Sequence, residues 1–265
     1  MHGEIPQLTI IVPTRDRPAM LDRALRSVRA QTRPDWQVIV VDDASSEPAS
    51  VVSGTDDPRF QVLRNTVSIG VSASRNRGLT VAAAPWTTFL DDDDELRSDF
   101  VARVLAALDR WDDVDFCWGS VCFHDTRSGG LSFRRVLDTE DVEPLYAQTA
   151  AAGIGFGMTI RTTILHRLGG FRTDRTHTED TDLIIRLLRG GHRPRIVDAI
   201  LADIYRHDDG RQTDSSNADR RVAEILEIVA DYGDFFDRFP AIRQQLQYHA
   251  ARLKDSAQVE RTDES

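Results

Sequence analysis

Five consecutive acids, Asp91 to Glu95, follow the apolar run Trp86 to Leu90 in "WTTFLDDDDEL". Carboxylates this close repel and raise one another's pKa values unless a cation or water relieves them. The run is therefore a solvated turn that also starts the next helix, or a cation site. Its own residues do not decide between the two. Other polar clusters border apparent elements: "PTRDRP" from Pro13, "VVDDAS" with Asp42, Asp43 and Ser45, and "HTEDTDLIIRLL" with Glu179 and Asp180. Asp and Ser favour turns and helix starts. In the last cluster Thr178 can cap a helix whose first-turn acids suit its positive dipole end.

Those clusters sit on a regular alternation. "LTIIV", "VIVV" (Val38 to Val41), "FQVL" and "WTTFL" read as strands. Between them Leu21, Ala24, Leu25 and Val28 recur at helical spacing, a short helix is expected from about Glu47, and Ser72 to Ala84 reads as another. Phe100, Val101, Val104, Leu105 and Leu108 mark the next helix. This β-α-β-α order predicts an α/β fold with an open, mainly parallel sheet and flanking helices. "VDFCWGSVCF" and "FGMTIR" are further strands, and Trp118, Phe156 and Met158 read as core. A helix carries Ile164, Leu165 and Leu168, and another holds Leu183, Ile184, Leu187 and Leu188. From Ala218 the chain reads as helical in two pieces broken at Pro240, with a frayed polar tail. Val222, Ile225, Leu226 and Val229 form an apolar stripe there, and "DFFDRFPAI" adds aromatic surface.

Ligands of an open α/β sheet bind outside the carboxyl ends of its strands. "PTRDRP", "DDAS" and the acidic run all fall there. No G-x-G-x-x-G follows the first strand and no G-x-x-x-x-G-K-[ST] occurs, which disfavours dinucleotide dehydrogenases and P-loop enzymes. Without a glycine-rich cradle, a diphosphate needs its charge offset otherwise, and a divalent metal on carboxylates does this. Asp91, Asp93 and Asp94 are the candidates, with Asp91 and Asp93 on one side if the strand continues.

Five motifs, "IVPTRDRP", "VVDDAS", "SIGVSASRNRGL", "FLDDDDE" and "TEDTDLIIRLLRGG", occur in the order in which they stand in the GT-A glycosyltransferases of family 2. The chain resembles that family over roughly residues 8 to 207. The resemblance implies an inverting transfer of a sugar from a nucleotide diphosphate donor, UDP-linked by preference, to a hydroxyl acceptor. The acidic run then corresponds to a D-x-D motif holding Mg²⁺ or Mn²⁺. By the same resemblance Pro13, Thr14, Arg15, Asp42, Asp43 and Arg75 border the nucleotide, with Asp91 and Asp92 beside it. Asp180 matches the general base and Glu179 its acidic companion. His207 in "YRHDDG" resembles a late metal ligand. A GT-A domain over residues 5–215 and a helical extension over 216–265 are expected. The extension is expected to serve the acceptor or assembly, as a lid or a homodimer contact, beside the plainer reading of packing against the first domain.

Composition bounds the setting. The chain has 265 residues and a formal charge of -10, and Arg supplies nearly all its positive charge, so no general grip on nucleic acid or anionic lipid is expected. No stretch approaches the roughly 18 apolar residues of a membrane span. The start lacks a basic, apolar leader. Cys117 and Cys122, on one strand, would stand about 16 Å apart and stay reduced. Together these predict a cytoplasmic protein, or one peripheral to the inner face of a membrane. Two rivals remain: a nucleotidyltransferase, which would carry a glycine-rich basic loop where "PTRDRPAML" has none, and a non-catalytic nucleotide-sugar-binding domain.

Overall fold

β1 (Leu8–Thr14) is buried along its whole length, as a strand covered on both faces must be. The computed structural model describes residues 5–49, 57–125, 131–135, 139–143, 156–206 and 217–263. After β1 come α1 (Pro18–Arg29), β2 (Trp36–Asp42), β3 (Phe60–Arg64), α2 (Val71–Leu79) and β4 (Trp86–Leu90). The middle of the chain gives β5 (Glu95–Leu96), α3 (Phe100–Leu108), β6 (Phe116–Asp125), β7 (Leu131–Arg135) and β8 (Phe156–Arg161). Then follow α4 (Thr162–Leu168), α5 (Glu179–Arg189), β9 (Pro194–Arg206), α6 (Ala218–Asp231), α7 (Gly233–Arg238) and α8 (Pro240–Asp263).

The strands form one sheet in the order β3-β2-β1-β4-β8-β6-β9-β5, with β7 added beside β6. β3, β2, β1 and β4 are parallel neighbours, the arrangement expected from the alternation. Beyond β4 the sheet becomes mixed: β8 runs antiparallel to both β4 and β6, while β6 and β9 are parallel. Parallel register pairs Thr14 with Asp42 and Ile11 with Phe89, so the carboxyl ends of β1, β2 and β4 lie side by side. The acidic run leaves the sheet where its direction reverses, the place where open sheets form a crevice.

Helices cover both faces. Leu8, Ile10 and Val12 pack with α1 and α3, whereas Ile11, Ile39 and Phe89 pack with α2, α4 and α5. α2 lies close on the sheet because residue 78 is glycine: a Cβ there would stand 2.6 Å from Ile11 Cγ2. That helix stops at Leu79, short of the expected Ala84: Val81 N and Ala82 N bond the carbonyls of Gly78 and Leu79 in tighter turns, and Ala84, before Pro85, is biased to extended backbone. Trp118 and Met158 are buried in the core, as expected, while the side chain of Phe156 lies outside the described residues. The helix expected from Glu47 also falls largely outside them. Cys117 and Cys122 are buried free thiols, and burial pushes Cys117 up to about 12. No helix among the described residues is long and apolar enough to cross a membrane.

The C-terminal helices differ from expectation in three ways. The chain breaks twice, at Tyr232 and at Phe239, and α8 continues to Asp263 through residues that are mostly good helix formers. The apolar stripe runs through Val222, Ile225 and Ile228, leaving Leu226 exposed. Phe235 and Phe236 are fully buried rather than surface aromatics. All these side chains join the cluster that holds Leu183, Ile184 and Leu187 of α5, so the extension closes the same core.

Seven buried side chains of the extension, Val222, Ile225, Ile228, Phe235, Phe236, Ile242 and Leu246, contribute roughly 1.5–3 kcal/mol each as an upper estimate. Their sum matches or exceeds the roughly 5–15 kcal/mol of a whole domain. Deleting residues 217–265 is therefore expected to abolish cooperative unfolding and to expose dye-binding apolar surface. Thermal melts by near-ultraviolet circular dichroism, with a hydrophobic dye, check this. A truncated chain that melts like the full one would show that the core of the preceding elements closes by itself.

Candidate functional site

The turns after β1 and β2 are braced against each other. Asp16 and Ala44 hold left-handed backbone, with φ of 54° and 60°. Asp16 Oδ1 accepts from Ser46 N at 2.6 Å and Ser46 Oγ at 2.9 Å, and Asp16 N donates to Ser45 Oγ at 3.0 Å. Asp42 is fully buried, accepting from Ser45 N at 2.8 Å and Ala49 N at 3.0 Å in its own turn and from Arg64 Nη1 of β3 at 3.4 Å. It offers no exposed oxygen to the crevice. Asp43 organises the segment before α2: its oxygens accept from Asn65 Nδ2, Ser68 Oγ, Ile69 N and Gly70 N at 2.7–2.9 Å. These donors outweigh its burial and hold the carboxyl below its usual range. Gly70, at φ 86°, makes the left-handed turn that opens α2.

The acidic run folds into a tight turn between β4 and β5. One carboxylate oxygen from each of Asp91, Asp93 and Asp94 lies within 4.8 Å of the other two. Asp94 Oδ1 accepts from Tyr205 N at 2.9 Å, which ties the turn to β9. Asp92 points toward β1, where Thr14 Oγ1 donates to it at 2.7 Å. Burial raises Asp92 to about 6, against the pull of Thr14 and Arg17. Arg17 Nη1 stands between Asp92 and Asp93 at 3.3 and 3.4 Å, and Arg23 donates to the carbonyl of Asp93. An all-carboxylate donor set fits a hard cation such as Mg²⁺ or Mn²⁺. The second grouping among the described residues, Cys122, His124 and Asp203, is a different case. There Asp203 Oδ1 already accepts from Arg97 at 2.6 Å and lies 2.7 Å from His124 Nε2.

Arg75 joins this turn to α5. Its guanidinium is buried, with Nη2 2.7 Å from Asp91 Oδ1 and Nη1 3.0 Å from Glu179 Oε1. Burial disfavours its charge, but Asp91, Glu179 and Asp180 outweigh that and raise its pKa. Glu179 and Asp180 are both raised, chiefly by burial, with Arg75 opposing. Asp180 is half-buried at the opening of α5, its Oδ1 accepting from Thr181 N at 2.7 Å. Thr178 occupies the N-cap position, yet makes no side-chain cap bond; its hydroxyl donates to Glu224 of α6 at 3.0 Å instead.

The structure thus brings together Thr14, Arg75, Asp91, Asp92, Asp93, Asp94, Glu179 and Asp180. Pro13 is buried inside β1, and Arg15 is exposed, reaching Ser68 Oγ at 2.9 Å. His207 lies outside the described residues. The sequence reading missed Arg17 and Arg23 as partners of the acidic run, and Asn65 and Ser68 as partners of Asp43. Arg17 stood in a quoted motif and could have been found; Glu224 stood in none.

The sequence model of a family described as "Glycosyl transferase family 2" matches residues 9–169. An "Uncharacterized glycosyltransferase" of Haemophilus influenzae is 30% identical over 189 residues, which are 69% of this chain and 62% of that protein. The GalNAc(5)-diNAcBac-PP-undecaprenol beta-1,3-glucosyltransferase of Campylobacter jejuni is 38% identical over 105 residues, 38% of this chain and 34% of that one. The chain therefore spans less than two thirds of either relative. Among solved structures, S. aureus TarS 1-349 in complex with UDP-GlcNAc is similar with a TM-score of 0.69 at 17% identity, covering 84% of this chain and 66% of that one. A mannosyltransferase, PcManGT from Pyrobaculum calidifontis, in complex with GDP-Man and Mn²⁺, gives 0.63 at 18% identity, covering 94% and 70%.

Removing Arg75 leaves the buried Glu179 and the partly exposed Asp91 without their shared cation. Arg75→Leu is expected to cost about 2–4 kcal/mol of stability, less than a fully buried pair because solvent reaches Asp91. Arg75→Lys should lose less, since it keeps the charge but not the two-pronged fork. Urea unfolding without divalent cation measures both. A loss under about 1 kcal/mol for Arg75→Leu would place this pair among weak surface bridges.

Proposed function

The chain belongs to glycosyl transferase family 2 and has the GT-A fold, and we propose that it moves a sugar from a nucleoside diphosphate donor to an acceptor hydroxyl with inversion. The observation that carries this reading is the Arg75 bridge, which joins Asp91 of a three-carboxylate cluster to Glu179, the neighbour of the half-buried Asp180 at the opening of α5. The nucleoside lies between the β1 turn, with Thr14 and Arg15, and the Asn65–Gly70 segment shaped by Asp43. A nucleotide sugar as donor is supported by the printed complexes of the similar structures, with UDP-GlcNAc and with GDP-Man.

Asp180 acts as general base. The acceptor oxygen forms its bond to the anomeric carbon as the bond from that carbon to the diphosphate oxygen breaks. The hydroxyl proton passes to Asp180, and the electron pair leaves with the nucleoside diphosphate. Burial suits Asp180 to this role, because a carboxylate with a raised pKa accepts a proton more readily. Glu179 shares Arg75 with the acidic turn and keeps α5 in register with the donor. Asp91, Asp93 and Asp94 would hold a divalent cation, Mn²⁺ or Mg²⁺, which when bound offsets charge on the leaving diphosphate. Asp92 instead braces the turn through Thr14 and Arg17.

Binding separates the roles of the acids. Calorimetry is expected to give weak binding of UDP or GDP alone and tighter binding with Mn²⁺. Asp94→Asn should remove that gain, whereas Asp92→Asn should leave most of it. Equal affinity with and without Mn²⁺ would take the cation out of the reading.

Turnover tests the base. A panel of UDP-glucose, UDP-GlcNAc and GDP-mannose, followed by release of nucleoside diphosphate, is expected to reveal one preferred donor. With that donor, Asp180→Asn should keep nucleotide affinity and lose roughly 10²–10⁴-fold in single-turnover rate. A rate equal to wild type would make Asp180 a helix-start residue only. No turnover of any donor by wild type would favour a nucleotide-sugar-binding domain without catalysis.

A further inference from the structure

The segment from Arg172 to Thr178, which leads into α5, is held along one face of α6. Asp231 Oδ2 accepts from Arg172 Nη1 at 3.2 Å and Arg175 Nη2 at 2.7 Å. Glu227, one turn nearer the start of α6, accepts from Arg175. Glu224, a further turn back, takes the next three residues. Its Oε1 accepts from Thr176 N at 3.2 Å and Thr176 Oγ1 at 2.9 Å. Its Oε2 accepts from His177 N at 2.9 Å and Thr178 Oγ1 at 3.0 Å. Acids spaced by three and four residues lie on one helix face, so the segment climbs α6 in the opposite direction, ending two residues short of Asp180.

The opening of α5 depends on this contact more than on itself. Its N-cap residue, Thr178, gives its hydroxyl to Glu224, so no local side-chain cap fixes where the first turn begins. Glu224 is buried, and its four donors hold the carboxyl down at about 2, ionised throughout the neutral range. Two further tethers reach the same turn: Arg75 Nη1 pairs with Glu179 Oε1 at 3.0 Å, and Tyr232 Oη donates to Asp182 Oδ1 at 2.6 Å. The neighbouring cations on α6 are Arg220, 3.5 Å from Glu224 Oε1, and Arg221, which adds positive potential at Asp180.

We propose that Glu224 is a positioning residue for Asp180, fixing the first turn of α5 from the C-terminal extension so that the base meets the acceptor hydroxyl. This rests on the reading of Asp180 as the base. It gives the extension a role in the reaction that its apolar packing alone does not imply. The requirement is geometric, since a misplacement of about 1 Å at a reacting group can cost on the order of 10²-fold in rate.

Glu224→Gln keeps the size of the side chain but replaces one oxygen by a donor. Each oxygen accepts from one backbone N–H, of Thr176 or His177, so whichever way the amide turns one of these N–H groups faces an NH₂ and loses its bond, while the threonine hydroxyl beside it can reverse and accept. The test is a double-mutant cycle on the full chain: wild type, Glu224→Gln, Asp180→Asn and the double variant. The readout is Mn²⁺-dependent release of nucleoside diphosphate from the preferred sugar of the UDP-glucose, UDP-GlcNAc and GDP-mannose panel, with water as acceptor. Glu224→Gln is expected to lower kcat by about tenfold or more, while donor KM and the affinity for UDP or GDP with Mn²⁺ stay within about twofold. In the Asp180→Asn background the same change should alter kcat by less than about twofold, because a positioning group has nothing left to position. Thr178→Val, which removes one bond, should show the same pattern at smaller amplitude and serves if Glu224→Gln fails to fold by circular dichroism. Asp234→Asn, which releases Arg189 on the exposed surface, should change nothing.

An equal loss in both backgrounds would overturn the proposal, as would a loss carried by KM or nucleotide affinity, or no loss at all. Wild-type turnover by Asp180→Asn would instead overturn the base assignment, and Glu224 with it. Absence of turnover by the wild-type chain would remove the enzymatic reading on which both stand.

Discussion

A single buried guanidinium governs the arrangement of the site. Arg75 is taken out of water and must be paired, because an unpaired charge in a low-dielectric interior costs several kcal/mol. Its partners come from two distant segments, Asp91 at the end of β4 and Glu179 at the start of α5. Neither acid is comfortable without it, since both stand in an acidic, partly desolvated neighbourhood. The three elements are therefore held in one register by mutual need for charge balance. Gly78 makes the arrangement possible: it lets α2 settle on β1, which brings Arg75, one turn earlier, over the carboxyl edge of the sheet.

The acidic run divides by direction as well as by charge. Asp92 turns back to Thr14 and Arg17 and stiffens the turn, while Asp91, Asp93 and Asp94 bring oxygens near one another. Three facing carboxylates are unfavourable in isolation. Arg75 at Asp91, Arg17 at Asp93 and Arg23 at the Asp93 carbonyl offset part of that repulsion. Such a turn can fold while keeping the donor set that the proposed cation would use. Asp43 shows the opposite economy: its oxygens accept from four protein donors, so its charge shapes the Asn65–Gly70 segment rather than standing open.

Much of this was legible in the sequence, for physical reasons that can be named. Strands buried on both faces read as unbroken apolar runs, so β1, β2 and β4 were plain, and their shared carboxyl edge followed from the alternation. The antiparallel placement of β8 was not legible, because a strand's residues record its burial and not its neighbour's direction. The stripe on α6 was misphased at Leu226 and Ile228, both apolar and two positions apart; only packing decides which turns inward. Thr178 carried a sound capping signal that tertiary contact overrode, as it can when a buried carboxylate competes for the same hydroxyl. Glu224, Glu227 and Asp231 could not be singled out, since acids at helical spacing read equally well as a solvated face.

The extension illustrates why stability and chemistry are hard to separate in this fold. Its apolar face, through Val222, Ile225 and Ile228, closes the core over α5, and its acidic face grips the segment that leads into the same helix. The two faces act on one element, so α5 is located from below by burial, which is strong but permits sliding. It is located from its end by hydrogen bonds, which are individually weaker but directional. Burial alone would leave the first turn free to shift by fractions of a residue, and the bonds to Glu224 alone could not hold a helix against the sheet. Together they place Glu179 against Arg75, and through Arg75 against the acidic turn. The path from α6 to Asp91 thus runs through contacts that each need the next, which makes the opening of α5 a joint product of both ends of the chain.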